Sequence, residues 1–395
     1  MSALTKLFFS NNNITNNVAL SIANVLSSNT GLKEIDFSKN SLQTTSYIVT
    51  SGISTLTKLY LNNNNITDKV AKETAAGLSQ NTQLKELDLS GNNLKSAGCI
   101  LICEALQKIT TLQKLFLNKN NITGIAACDI AAIFSQNTHI QELDLSENDL
   151  KSEGCIAICR GMQQVSTLKK LFLNETNITK EAADDIATVL SQNKQIKEID
   201  LGQNSLKNAG CVVIFKALRE VTTLTKVLVS CNSVTAEAAH EIAAVLACNN
   251  VLQELDLNGN FLKVTGIRKV FQSLQHTSTL VRLSIQDNCC TEDAAHDIAE
   301  VISHNTGLQE LNLQGNDLQT EGTIVIAKAL RNISTLVKLN IDDNDISDEA
   351  IYHVKAILIC NTHLKEFYFQ ENWFTKHGIK SIKTHVIQQT MIIDF

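Results

Sequence analysis

The eleven residues Leu84–Leu94, LKELDLSGNNL, constrain the fold of the whole chain. Side chains alternate along a strand, so leucines at the first, fourth and sixth places cannot all lie on one face of a free surface strand. All three can be buried if the strand is short and the chain turns inward on both flanks. The third and fifth places, Glu86 and Asp88, then point away from the core. Asn92, at the ninth place, stands where the chain leaves the strand, and its amide can satisfy backbone groups of adjacent turns. Loss of one such buried partner costs on the order of 1–3 kcal/mol.

The pattern recurs along the chain. Units start at Leu4, Leu32, Leu56, Leu84, Leu112, Ile140, Leu168, Ile196, Leu224, Leu252, Leu280, Leu308, Leu336 and Leu364, 28 residues apart except for 24 between Leu32 and Leu56. This predicts fourteen strands, each followed by a helix. The short unit, residues 32–55, should keep its strand, lose about one helical turn and be irregular on its outer side. Asn12, Asn40, Asn64, Asn92, Asn120, Asn148, Asn204, Asn232, Asn260, Asn288, Asn316, Asn344 and Asn372 fill the ninth-place column, with Thr176 as a weak point.

Two unit types alternate, so the true period is 56. The first reads TLxKLxLNxNNIT and continues into a helix such as 182–190, with Thr123, Thr179, Thr235, Thr291 and Ser347 as expected N-caps. The second reads LKELDLSxNxLKxxG and continues into a helix such as 99–106. Its Gly98, Gly154, Gly210, Gly266, Gly322 and Gly378 occupy one position, where a small residue lets neighbouring helix starts pack closely.

Helical 28-residue units of two alternating types resemble the ribonuclease-inhibitor class of leucine-rich repeats. That class also forms the sensor domains of nucleotide-binding leucine-rich-repeat receptors. The resemblance spans residues 4–378 and is far more specific for fold than for function. It implies an α/β solenoid of horseshoe shape, with a parallel concave sheet and convex helices, that binds proteins. Residues 1–378 are expected to form the solenoid and 379–395 a C-terminal cap, since solenoid ends need cover. Leu4 already belongs to a strand, so residues 1–10 are expected to continue from a missing N-terminal domain or to reflect a truncated gene model.

Composition narrows the function classes. The chain of 395 residues is 44% hydrophobic and carries net charge −6, which argues against nucleic acid as a main partner. It has neither an apolar run long enough to span a membrane nor a signal-peptide core, so a cytoplasmic location is expected. Its eleven cysteines then read as reduced thiols, and its N-x-S/T triplets, at Asn13, Asn65, Asn121, Asn174, Asn177 and Asn332, as incidental. No glycine is followed by lysine, which excludes the phosphate loop G-x-x-x-x-G-K-[ST]. His240-Glu241 lacks the second histidine of a zinc helix. The helical pairs Cys99/Cys103 and Cys155/Cys159 lie two units apart, too far to assemble a four-thiolate site, and are expected to pack as core. No cofactor, metal or enzymatic activity is expected.

The outward positions of the strands carry the remaining information. The third place alternates in sign, with Lys6, Lys58, Lys114, Lys170, Lys226, Arg282 and Lys338 against Glu34, Glu86, Glu142, Glu198, Glu254, Glu310 and Glu366. At strand spacings of about 4.8 Å this ladder neutralises itself. The fifth place alternates Phe8, Tyr60, Phe116 and Phe172 with Asp36, Asp88, Asp144, Asp200 and Asp256, and the pattern fades at Leu228, Ser284, Asn312 and Asn340. Exposed rings on a rigid sheet make interface hot spots, and a partner with basic side chains around an apolar anchor fits them. The rings could alternatively just cover the neighbouring lysine stems. A second candidate patch comprises Asp287, Asp342, Asp343, Tyr368, Glu371 and Trp373, although Trp373 could instead pack into the C-terminal cap.

These features point to an intracellular protein-interaction scaffold similar to the sensor part of an innate-immune or regulatory receptor. A stoichiometric enzyme inhibitor of the ribonuclease-inhibitor type is the alternative, weakened by modest net charge and by lysines that neutralise the inward acids. A GTPase-activating protein of this repeat class would carry a strongly acidic tail, and Thr384–Gln389 is not acidic.

Overall fold

The computed structural model describes residues 4–26, 29, 31–42, 53–331, 335–386 and 392–394. The chain divides into two compact units, Met1–Asn204 and Ser205–Phe395. The expected irregularity of the short repeat falls largely on residues 43–52, which lie outside the described residues.

In the first unit the strands are β1 (Lys6–Phe8), β2 (Glu34–Asp36), β3 (Lys58–Tyr60), β4 (Glu86–Asp88), β5 (Lys114–Phe116), β6 (Glu142–Asp144), β7 (Lys170–Phe172) and β8 (Glu198–Asp200). Each pairs in parallel with the next, third place to third place and fifth to fifth. The second unit repeats this with β9 (Lys226–Leu228), β10 (Glu254–Asp256), β11 (Arg282–Ser284), β12 (Glu310–Asn312), β13 (Lys338–Asn340) and β14 (Glu366–Tyr368). Helices such as Lys95–Leu106 and Gln319–Leu330 follow the strands, and neighbouring helices pack on one another within each unit.

A fifteenth strand, β15 (Ile392–Asp394), pairs in parallel with β14. The expected C-terminal cover is therefore, over these residues, a further rung of the sheet. Its sequence carries no leucine pattern that would announce it.

The leucines behave as their spacing demands: Leu84, Leu87 and Leu89 are fully buried, and so, on helices, are Phe134, Phe215 and Phe271. The asparagine column is the polar spine of this core. Asn92 Nδ2 donates to the carbonyls of Leu61, Leu89 and Ser90 at 3.0, 2.8 and 3.2 Å, while its Oδ1 accepts from the Asn64 and Ile66 amides at 3.0 and 2.9 Å. At Thr176 the single hydroxyl proton serves Leu173 O at 2.6 Å, where the equivalent Asn120 amide reaches three carbonyls.

A second asparagine column went unread in the sequence. Asn81, Asn137, Asn193, Asn249, Asn305 and Asn361, all but Asn305 buried, follow alternate helices. Asn81 Oδ1 accepts from the Gln83 and Leu84 amides, both at 2.7 Å, and its Nδ2 donates to Leu56 O at 3.0 Å. Each such residue ties a helix end to the start of the following strand and to the unit before it. The 56-residue recurrence of these asparagines was the available signal.

The small residues at helix starts have a steric cause. A Cβ built on Gly154 would lie 2.9 Å from the Gly124 Cα, and one on Gly98 would lie 3.0 Å from the Ala71 Cβ. The expected N-caps are partly borne out. Thr123, Thr235 and Ser347 accept from the amide two residues on, at 3.4 Å, whereas Thr179 and Thr291 make no such bond. The capping hydroxyls are instead also used between units: Thr123 Oγ1 lies 2.8 Å from Ser96 Oγ, and Ser347 Oγ accepts from Thr320 at 2.9 Å.

Candidate protein-binding surface

From β2 to β14 each strand offers its solvent face only the third and fifth side chains, because the fourth is buried and the strand is three residues long; on β1 the fourth, Leu7, is half-buried. In the first unit every third-place lysine reaches the glutamate of the following strand: Lys6–Glu34 at 3.0 Å, Lys58–Glu86 at 3.5 Å, Lys114–Glu142 at 2.9 Å and Lys170–Glu198 at 2.8 Å. The glutamates are the more covered partners. Exposed pairs of this kind contribute about 0.2–1 kcal/mol each, so the ladder orients side chains more than it stabilises the fold.

At the fifth place the register sets each ring beside an aspartate: Phe8 beside Asp36, Tyr60 beside Asp36 and Asp88, Phe116 beside Asp88 and Asp144, Phe172 beside Asp144 and Asp200. Phe8 is 58% exposed, whereas Tyr60, Phe116 and Phe172 are half-buried. Tyr60 donates its hydroxyl proton to Glu86 at 3.0 Å, and burial together with that carboxylate pushes its phenol well above the ordinary range.

The aspartates have a structural task that the spacing did not reveal. Asp36, Asp88, Asp144, Asp200 and Asp256 each accept the backbone N–H two residues on, at 2.8–3.0 Å, and so close the turn that leaves the strand. Between their neighbours Asp88, Asp144 and Asp256 lose water, and desolvation raises their carboxyls above the ordinary 3.8 despite the turn bonds that oppose it. Asn312 and Asn340 make the same turn bond with an amide oxygen. An uncharged acceptor therefore suffices for the turn.

The second unit departs from this order. The fifth place carries Leu228, Ser284, Asn312 and Asn340, and only at β14 does a ring return, in Tyr368. Tyr368 donates to its own strand's Glu366 at 3.0 Å, and the Lys338 ammonium sits 5.1 Å from its ring centre while pairing with Glu366 at 3.0 Å. Of the second sequence patch, Asp287, Asp343 and Glu371 lie exposed at equivalent left-handed turn positions, with φ of 52°, 52° and 54°. Asp342 instead accepts from the Gln370 amide. Trp373 is 68% exposed, with its backbone held by Ile346 O at 2.9 Å. That placement corrects the reading in which it packs into the cap.

Six of the cysteines are core residues, and Cys128, Cys231, Cys248, Cys289 and Cys360 are exposed. Cys99 and Cys103 lie 3.7 Å apart and Cys155 and Cys159 3.9 Å apart, all buried, and burial pushes the Cys211 and Cys290 thiols up to about 12. Among the described residues no group of three or more His, Cys, Asp or Glu side chains could hold a metal ion. Among the same residues no helix is long and apolar enough to cross a membrane.

Comparison with known proteins places this architecture. A family model described as Leucine Rich repeat matches residues 52–71, 80–103, 136–159, 304–327 and 332–352. No curated protein matches the sequence. Among solved structures, an internalin (inlF) from Listeria monocytogenes is 17% identical with TM-score 0.53, covering 100% of this chain and 87% of its own. A TDR receptor is 16% identical with TM-score 0.50, covering 94% and 69%. A structure of the Rad7 and Elc1 complex in yeast is 14% identical with TM-score 0.56, covering 94% and 86%. At these identities the likeness establishes the fold, a solenoid of strand-helix repeats.

Proposed function

We propose that this leucine-rich-repeat protein is an interaction scaffold that binds a protein partner on the open sheet face of its first unit. The row of Phe8, Tyr60, Phe116 and Phe172 carries the reading. These rings sit at fixed spacing on a hydrogen-bonded sheet and alternate with carboxylates, an arrangement suited to an apolar anchor flanked by basic side chains. The solved likenesses agree in kind, since one is a receptor and another is seen in complex with a protein. The specific role we favour is the ligand-sensing part of an intracellular receptor, with Asp36, Asp88, Asp144 and Asp200 in the contact surface and the Asp343–Trp373 edge as a secondary one.

The test is affinity capture from host lysate by the wild-type chain and by the triple variant Tyr60→Ala, Phe116→Ala, Phe172→Ala. A protein captured by the wild type and lost by a variant of unchanged circular dichroism places the site on the first unit. Equal capture by both moves the site elsewhere and rejects the reading. Tight stoichiometric inhibition of a pancreatic-type ribonuclease would instead favour the inhibitor alternative.

A further inference from the structure

A cleft of about 300 Å³ opens on the face of the second unit, lined by strands β10–β13. It exists because the fifth place of the ring-bearing repeat type carries Ser284 and Asn340 there, side chains too small to fill the space a ring would take. The charge ladder also breaks at this point. Arg282 turns back to Glu254, with Nε at 3.0 Å and Nη2 at 2.7 Å from Oε2, although Glu254 already holds Lys226 at 2.8 Å. Lys338 is committed forward to Glu366 and Tyr368. Glu310, between them, consequently has no basic side chain within 4 Å among the described residues. The other groups at the cleft do not compensate it. Asp256 is a second carboxylate, with one oxygen in its turn bond. The Asn312 and Asn340 amides donate away to Gln286 and Gln314, at 3.3 and 3.1 Å. Ser284 donates to Asn258 at 2.6 Å. Lys226, Arg282 and Lys338 thus face Glu254, Asp256, Glu310 and Glu366, and one negative charge is left over at the cleft. An anionic ligand would meet repulsion, whereas a cationic donor would complete the missing rung.

We propose that this cleft receives the guanidinium of an arginine side chain from a protein partner, with Glu310 as its counter-ion. The proposal deepens the protein-binding reading by giving it a second contact of defined chemistry. Guanidinium is favoured over ammonium because its planar fork meets a carboxylate through two parallel hydrogen bonds and sheds water more readily.

The probe is the capped tripeptide acetyl-Gly-Arg-Gly-amide, titrated against the full chain and followed by saturation-transfer NMR. Binding is expected with a Kd on the order of 1 mM. The citrulline peptide, isosteric and neutral, should bind at least about tenfold more weakly, as should the arginine peptide to Glu310→Gln. Asn312→Lys, which supplies an internal cation beside Glu310, should abolish binding. Equal affinity for arginine and citrulline peptides, undiminished binding to Glu310→Gln, or absence of binding to the wild type would overturn the proposal, and equal binding of a lysine peptide would overturn the choice of guanidinium. The ring variant Tyr60→Ala, Phe116→Ala, Phe172→Ala should bind the peptide normally, so failure of the ring site and failure of the cleft are separable.

Discussion

The two units share a backbone plan, yet their open faces differ. From β1 to β8 the fifth place alternates ring and aspartate, and each lysine reaches forward to the next glutamate. From β10 to β13 Ser284 and Asn340 stand where rings would, Asn312 stands where an aspartate would, and Arg282 reaches backward. The spines differ too. In the first unit the ninth-place column is interrupted at Thr176, while in the second it runs through Asn232, Asn260, Asn288, Asn316, Asn344 and Asn372. The lesson is that the repeat fixes the buried positions and the sign of charge at the third place, and leaves the outward fifth place free to vary. One unit offers apolar anchors and the other a polar cleft on the same scaffold.

The sharpest test of this contrast removes the anchors. The triple variant Tyr60→Ala, Phe116→Ala, Phe172→Ala should weaken partner binding by more than about 100-fold, since hot-spot rings contribute about 2 kcal/mol or more each. The triple Ser284→Ala, Asn312→Ala, Asn340→Ala should change capture of the same partner by less than about tenfold. A competition binding assay measures both, and equal losses would erase the distinction between the faces.

The spines give the next largest effect. Asn316→Ala should cost about 2–4 kcal/mol in urea unfolding, because several buried backbone groups lose their partners together. Thr176→Asn should stabilise by about 1 kcal/mol by restoring the amide that its column lacks. A neutral result there would mean that the first unit has already relaxed around the threonine.

The smallest effects are electrostatic and have opposite signs. Asp144, raised by desolvation, is penalised in the folded state whenever it is charged; that penalty grows as pH rises through its folded value and vanishes below 3.8. Asp144→Asn keeps the turn acceptor and should therefore raise the urea midpoint at pH 7 but not near pH 3. Glu366 is lowered, chiefly by Lys338, so whatever stability it adds is present above 4.5 and lost as pH falls through its folded value. Glu366→Gln should accordingly lower the midpoint slightly at pH 7 and leave it unchanged near pH 3. Parallel denaturation series at the two pH values check both.

Much of this was legible because repetition multiplies each signal. The leucines, the ninth-place column and the sign alternation at the third place each recur with the unit, and the strands fall where the pattern puts them. What escaped had a local or directional cause. The aspartates looked like a contact column because spacing shows that a side chain faces outward but not which backbone amide it turns toward. The backward reach of Arg282 depends on side-chain torsions that no periodicity encodes. The strand Ile392–Asp394 pairs through its backbone, so it needs no leucine code. The second asparagine column was legible and was overlooked, because its 56-residue recurrence lies outside the eleven-residue motif.

The spine has a kinetic consequence. Its bonds within each unit join residues about 28 apart, as from Asn64 to Asn92, Asn120 to Asn148 and Asn288 to Asn316. No rung waits for a distant part of the chain, so the entropy of loop closure stays small and constant as the molecule grows. Long parallel sheets usually fold slowly because their pairings are non-local, and here that cost is divided into many short steps. Folding can then keep pace with synthesis, each repeat docking on its predecessor as it leaves the ribosome.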